Sequence, residues 1–268
     1  MTVNFLLIGS AKSATTSLSN GISQHPDICF CNQKEPQFFS KENWKEHLHE
    51  YHSLFKKTAK LYGEASTNYS KFPHYNQNIH KDIFNYNPNM KIIYIMRHPL
   101  DRMISHYIHS FNRGHEPLKD INEAISSNIH YINTGKYAMQ IEPYIKHFGR
   151  KNVLLLFFED FIINPQSVLN TVFNFLNIEP IVIDNKFLNT NKSFDKSIIH
   201  HKYDNPKTLT KKVKKVLLII KNTVFSSDMI NKKPQLDEQT KSYVLENIKS
   251  DVKKIETLTN RDLSHWLI

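Results

Sequence analysis

Several things are scarce in this sequence, and each scarcity excludes something. Only two of the 268 residues are cysteine. They stand two apart in the strand-like run Ile28-Cys29-Phe30-Cys31, where side chains face the same way but sit too far apart for an easy disulfide. They read as reduced core residues, because a zinc site needs two further ligands at suitable spacing, which are missing. Six glycines leave little room for flexible linkers, and no internal repeat or low-complexity segment interrupts the chain. No window approaches the ~18 consecutive apolar residues of a membrane span. The apolar start, Val3 to Ile8, is too short for a signal-peptide core and has no basic segment before it. The expected location is therefore cytoplasmic, or the cytoplasmic side of a membrane. Acidic residues are also in deficit: 25 Asp and Glu stand against 35 Lys and Arg, a net charge of +10. An anionic partner follows. Nucleic acid, a phosphorylated or sulfated small molecule and an acidic polysaccharide all fit, and charge alone does not choose among them.

What the chain does have is core material. Apolar residues make up 40%, with 17 Phe and 12 Tyr, enough for one sizeable α/β domain or two small ones. Strand-like and helix-like segments alternate. Strands are expected at Asn4–Ile8, Ile28–Cys31, Leu61–Ser66, Lys91–Met96 and Val153–Phe158. Helices are expected at Thr15–Gln24, Trp44–Phe55, Ile79–Asn85, Leu100–Phe111, Ile121–Ser127, Ala138–Phe148, Val168–Leu176 and Val244–Leu258. The runs Lys91–Met96 and Val153–Phe158 are almost wholly apolar, as strands covered on both faces should be. The alternation predicts a central parallel sheet with helices on both faces, whose ligands bind at the carboxyl ends of the strands. The pattern weakens from Pro180. Lys207 to Lys215 holds five lysines before the apolar Val216–Ile220, either a peripheral helix with a solvated face or a basic amphipathic helix on an anionic surface.

Three constellations carry chemistry. The first is Phe5-Leu6-Leu7-Ile8-Gly9-Ser10-Ala11-Lys12-Ser13-Ala14-Thr15-Thr16-Ser17-Leu18, an apolar strand that ends at a glycine and turns directly into a helix. Unpaired N–H groups at a helix start favour phosphate or sulfate. Lys12 adds a full charge, and Ser13, Thr15, Thr16 and Ser17 add donors. An ordinary capped helix after a buried strand is the alternative. The second is Arg97-His98-Pro99-Leu100-Asp101-Arg102 and onward to Ser105 and Tyr107, with Arg97 at a strand's carboxyl end and Pro99 opening a helix. An arginine fork suits a phosphate monoester; the alternative is that Arg97 and Arg102 pair with Asp101 or other surface acids. The third is Lys34-Glu35-Pro36-Gln37-Phe38-Phe39, where Glu35 is either a general base near a cationic site or a loop carboxylate in a local ion pair.

Together these motifs resemble the sulfotransferases that use 3′-phosphoadenosine 5′-phosphosulfate (PAPS), in particular the carbohydrate, heparan-sulfate-type enzymes and their bacterial relatives. Gly9–Leu18 is similar to their 5′-phosphosulfate loop, Arg97 to Tyr107 to their 3′-phosphate motif, and Lys34–Phe39 to the segment with the catalytic glutamate. Gly63-Glu64-Ala65-Ser66-Thr67-Asn68-Tyr69, Gly135-Lys136-Tyr137-Ala138, Asn152–Phe161 and Asn260–Trp266 continue the match in order. The resemblance covers most of the chain and is weakest from about 181 to 236. It implies one sulfotransferase domain over 1–268, of the P-loop-NTPase-like sulfotransferase fold, with 181–236 as a variable, acceptor-side segment.

The resemblance further implies transfer of a sulfuryl group from PAPS to a hydroxyl or amine acceptor, leading to a carbohydrate, glycan or glycolipid, with 3′,5′-bisphosphoadenosine (PAP) as product. Lys12 and Glu35 would be catalytic. Gly9, Ala11, Lys12, Ser13, Ala14, Thr15, Thr16 and Ser17 would hold the 5′ end, and Arg97 and Ser105 the 3′-phosphate. Lys34, Phe38, Tyr69 and Tyr137 are the candidates for acceptor contact. No metal, no nucleic acid partner and no transmembrane segment are implied, with peripheral membrane contact left open. Of the fifteen histidines, His47, His49 and His52 crowd together without the i, i+4 pair of a helical zinc site.

Two departures from the family pattern stand out. Ala14 replaces a glycine common in the family, which predicts negative φ and a helix-like position there. Ala65 replaces a lysine that the heparan-type enzymes place near the reacting centre. The competing readings are a P-loop kinase, against which the loop lacks the Gly-Lys-Ser/Thr ending, and a non-catalytic polyanion binder.

Overall fold

The computed structural model describes residues 1–188, 229–230 and 232–268. Five strands, β1 (Phe5–Gly9), β2 (Ile28–Phe30), β3 (Leu61–Ala65), β4 (Lys91–Met96) and β5 (Val153–Phe157), form one sheet in the order β2-β3-β1-β4-β5. Every pairing is parallel, with Leu6 opposite Glu64 and Ile92 to Met96 in step with Val153 to Phe157. The helices are α1 (Thr15–Ser23), α2 (Leu48–His52), α3 (Ile79–Tyr86), α4 (Pro99–Asn112), α5 (Ile121–Ser127), α6 (His130–Asn133), α7 (Tyr137–Phe148), α8 (Phe158–Ile163), α9 (Pro165–Leu176) and α10 (Glu238–Thr259).

Alternation along the strands divides the core in two. Phe5, Leu7, Ile93 and Ile95 face α1 and α9 through Leu18, Ile22, Leu169, Val172 and Phe173. Leu6, Ile8, Ile92, Tyr94 and Met96 face the opposite layer, built by α4, α7, α10 and Trp266. Both faces of β4 are covered, which is why its sequence is a continuous apolar run. Gly63 lets the layers close: a Cβ there would stand 2.0 Å from the Phe5 ring.

Strand order also fixes where a ligand can enter. β1 leads toward the β2 edge and β4 toward the β5 edge, so their connections diverge and leave a crevice at their carboxyl ends. The loops 10–14 and 97–98 open into it.

Three expected elements differ, the last helix by starting six residues early, at Glu238 instead of Val244. The helix expected over Trp44–Phe55 is broken into a 3₁₀ turn, Trp44–His47, and the short α2. Trp44, Tyr51 and Phe55 all turn into one aromatic cluster with Phe38, Phe39 and Tyr86, and that packing overrides a single helical axis. Phe158 begins α8 rather than ending β5. The turn brings the Glu159 carboxylate to the His98 N–H at 2.8 Å. The basic segment 207–220 lies outside the described residues.

Candidate active site

The loop after β1 is wound tightly. Ser10 Oγ and Ser13 Oγ share a 2.7 Å hydrogen bond, and Ser10 Oγ also donates to the Ile95 carbonyl at 3.1 Å, tying the loop to β4. Gly9 is required by packing, since a Cβ would stand 2.1 Å from Ser70 Oγ and 2.9 Å from the Tyr94 ring. Lys12 and Ala14 both adopt left-handed backbone, with φ of 73° and 61°. The expectation of negative φ at Ala14 is thus corrected: the family's glycine position keeps its glycine-like conformation here, at the cost of steric strain on the alanine Cβ. No side chain caps α1, and its first intrahelical bond runs from Leu18 N–H to Ala14 C=O at 3.0 Å. The amides at this helix start follow directly from the β1 end of the crevice and have the character of an anion-binding end. Ala11, Ser13, Thr15 and Ser17 are buried in the loop and first turn, and Thr16 is half-buried.

Lys12 is half-buried and its Nζ lies 3.4 Å from His109 Nδ1 on α4. Its pKa is pushed down to about 8, first by burial, then by the positive charges of Arg113, Arg97 and Lys34, with Glu35 acting in the opposite direction. His109 is itself pushed down to about 3 by burial and then by Lys12, so its neutral ring accepts from the ammonium. Segments far apart in sequence therefore act on one charge.

Arg97 lies at the end of β4 and donates from Nη1 to the Lys12 carbonyl at 3.3 Å, joining the first two constellations directly. Its guanidinium sits 4.6 Å from the centre of the Phe158 ring. Neither Arg97 nor Arg102 forms an ion pair among the described residues, and Asp101 pairs with Lys233 at 2.5 Å instead. Arg102 is fully buried, donating to the Tyr131 carbonyl at 2.5 Å. Arg97 Nε, His98 Nδ1 and Ser105 Oγ are buried polar atoms without a partner. Buried polar atoms are almost always paired; of the six without a partner among the described residues, these three and Arg102 Nε belong to the Arg97–Tyr107 segment, and the others are Ser40 Oγ and Tyr94 Oη.

Glu35 and Gln37 are also left-handed, with φ of 49° and 51°. Glu35 is half-buried and its Oε2 accepts from Thr67 Oγ1 at 3.2 Å, with no ion pair to Lys34, which is exposed. The other acceptor candidates need correction. Phe38 is buried and stacks on Tyr51 at 4.0 Å. Tyr69 is buried and donates to Glu64 at 2.7 Å. Tyr137 is buried, accepts the Arg97 N–H at 3.4 Å and donates to the Arg97 carbonyl at 2.6 Å. None of the three presents a surface to an acceptor; aromatic residues beside a loop motif suggest a lining, and burial makes them supports.

The Arg97 side is braced from the end of the chain. Asp251 on α10 accepts the Ala138 and Met139 N–H groups at 3.0 and 2.8 Å, capping α7 beside Tyr137. Burial pushes the Asp251 carboxyl up to about 6. The His265 carbonyl meets His98 Nε2 at 3.3 Å, and Arg261 grips Asp160 through two bonds of 2.5 and 2.9 Å. Sequence reasoning passed over His109, Arg113 and Thr67. The spacing Ser105, His109, Arg113 puts the first two on a single face of α4 and Arg113 at its C-cap, and is the signal for His109 and Arg113.

Among the described residues no three metal-ligating side chains converge, and no helix is long and apolar enough to cross a membrane. A family profile described as the sulfotransferase domain matches residues 3–256. The mouse proteins heparan sulfate glucosamine 3-O-sulfotransferase 3A1 and 3B1 are 27% and 28% identical over 200 residues, covering 70% of this chain and 49% and 50% of theirs. The chain thus spans about half the length of these curated relatives. The crystal structure of a sulfotransferase from Alicyclobacillus acidocaldarius aligns with a TM-score of 0.71 over 99% of each chain at 23% identity, a likeness of fold.

Proposed function

The chain belongs to the sulfotransferase domain family, and from that premise we propose that it transfers a sulfuryl group from PAPS to a hydroxyl or amine acceptor on a carbohydrate. The observation that carries the reading is the contact between Arg97 and the Lys12 loop across the β1–β4 crevice, with four unpartnered polar atoms in the Arg97–Tyr107 segment. The resident groups fit a donor with two separated anionic ends. The α1 amides and the loop hydroxyls would hold the 5′-phosphate, and Arg97 with Ser105 the 3′-phosphate.

When bound, the donor supplies an activated sulfuryl group on an anhydride oxygen, and little covalent work is left for the protein. Lys12 would leave His109, stand at that bridging oxygen and neutralise the charge it gains as its bond to sulfur breaks. Glu35 would accept the proton from the acceptor as the new bond to sulfur forms. Thr67 would orient the Glu35 carboxylate. The carbohydrate acceptor draws on the named activity of the two mouse relatives.

Calorimetry with PAP tests the reading. Micromolar affinity without magnesium, about 8 kcal/mol, is expected. Preference for ATP with magnesium would instead make the protein a kinase, and heparin binding that survives Lys12→Ala with no PAP affinity would make it a polyanion binder. With labelled PAPS and a polysaccharide acceptor, Glu35→Gln should keep PAP affinity and lower turnover at least ~100-fold.

A further inference from the structure

Glu64 is a fully buried carboxylate next to the carboxyl end of β3, facing the aromatic layer of the core. Among the described residues no cation pairs with it. Three hydroxyls do: Tyr69 Oη donates to Oε1 at 2.7 Å, Tyr51 Oη to Oε1 at 3.3 Å, and Ser66 Oγ to Oε2 at 2.9 Å. Two of these hydroxyls then accept a backbone amide from the turn that carries Glu35. Ser66 Oγ takes the Gln37 N–H at 2.9 Å, and Tyr69 Oη takes the Phe39 N–H at 3.2 Å. Thr67, between them in sequence, donates to Glu35 itself.

We infer that Glu64 is a positioning residue for Glu35, holding the 35–39 turn in place through the Ser66 and Tyr69 relays. The inference rests on the reading of Glu35 as the base. The chemistry follows from what a carboxylate is. It only accepts, so every hydroxyl around it must donate inward and offer its lone pairs outward, where the two amides are. A carboxamide in its place would donate to one of these hydroxyls and remove the acceptor for its hydrogen. The turn needs such ties. Left-handed backbone at Glu35 and Gln37 is disfavoured for side chains with a Cβ and persists only where the surroundings hold it. Packing alone does not account for Glu64, since a buried carboxylate with hydroxyl donors but no cation beside it costs stability that an apolar residue would not.

Burial pushes the Glu64 carboxyl up to about 7 against the pull of its three donors. The groups facing it are Tyr51, Tyr69, Tyr86, Cys31 and Glu35. Burial moves the three tyrosines upward and Cys31 up to about 12, so these four keep their protons at neutral pH, where Glu64 is the group that burial brings into range. Protonation would turn one oxygen into a donor and slacken one relay.

The test compares wild type, Glu35→Gln, Glu64→Gln and Ser66→Ala, with labelled PAPS and heparan sulfate stripped of its O-sulfates as acceptor probe. For Glu64→Gln, kcat should fall about 10- to 100-fold, with PAP affinity within about 2-fold of wild type. The ionisation near neutrality should vanish from its kcat–pH profile. Amide hydrogen exchange at Gln37 and Phe39 should quicken about 10-fold while β3 stays protected. Ser66→Ala should cost less in the Glu64→Gln background than in the wild type, because both loosen the same 35–39 turn. Full turnover in Glu64→Gln beside an inactive Glu35→Gln would overturn the inference, as would strictly additive losses. Retained turnover in Glu35→Gln would remove the base assignment instead. In that case, or if the probe is not sulfated, exchange decides alone: unchanged protection at Gln37 and Phe39 overturns the relay. If Glu64→Gln fails to fold, Ser66→Ala by itself must quicken Gln37 exchange, and unchanged exchange there also overturns it.

Discussion

Lys12→Met should make the free protein more stable while destroying its grip on the donor. Lys12 titrates near 8 instead of 10.5 in the fold, first because it is buried and then because Arg113, Arg97 and Lys34 crowd it. The difference of roughly 2.5 units corresponds to about 3 kcal/mol against the charged form. Arg113 and Lys34 are exposed, so salt screens part of this, and about 1–2 kcal/mol should be recovered at pH 7 and 0.15 M salt. The sign follows from proton counts. Below pH 8 both folded and unfolded chains hold the proton, and the penalty is complete. Between 8 and 10.5 the unfolded chain still holds it while the folded one has released it, so wild-type stability climbs with pH. Above 10.5 the penalty is gone. Methionine keeps the length of the stem and never titrates. Urea unfolding at pH 7 and pH 9.5 measures both proteins: the variant should lead at pH 7, and the gap should narrow at pH 9.5. PAP affinity should fall at least ~10-fold through loss of a charge-assisted contact. A variant less stable than wild type at pH 7, or a gap indifferent to pH, would refute the reasoning.

Other outcomes follow from the same crevice. Arg97→Ala should weaken PAP far more than adenosine 5′-monophosphate in calorimetry; equal weakening would separate Arg97 from the 3′-phosphate. Ala14→Gly should stabilise the chain by about 0.5–1 kcal/mol in urea, because the left-handed backbone is already present and glycine removes its steric cost. A loss of stability there would mean that Ala14 does not hold this conformation in solution. PAP affinity of the wild type should decline as pH rises through about 8, where Lys12 gives up its proton.

Much of the fold was legible because burial leaves a pattern. β4 and β5 read as apolar runs since helices cover both their faces. Boundaries set by a single distant contact were not legible, as where Glu159 draws Phe158 into α8. At the site, the sequence marks residue types at loop ends, so Lys12, Glu35 and Arg97 stood out, and the structure brings their surroundings together around Lys12. It does not mark depth. Phe38, Tyr69 and Tyr137 carry suitable chemistry for an acceptor groove, and each is buried in a supporting contact. Nor does it mark backbone sign, since alanine at position 14 gives no hint of the left-handed turn that glycine would have announced.

The Asp251 cap ties folding order to competence. Tyr137 clasps the Arg97 backbone from the head of α7, and that head is fastened by a carboxylate more than a hundred positions later. A growing polypeptide makes all five strands before α10, the helix that both fastens this head and covers part of one face of the sheet. That face of the core and the clasp on Arg97 are therefore finished together, and a chain cut just ahead of α10 would lack both.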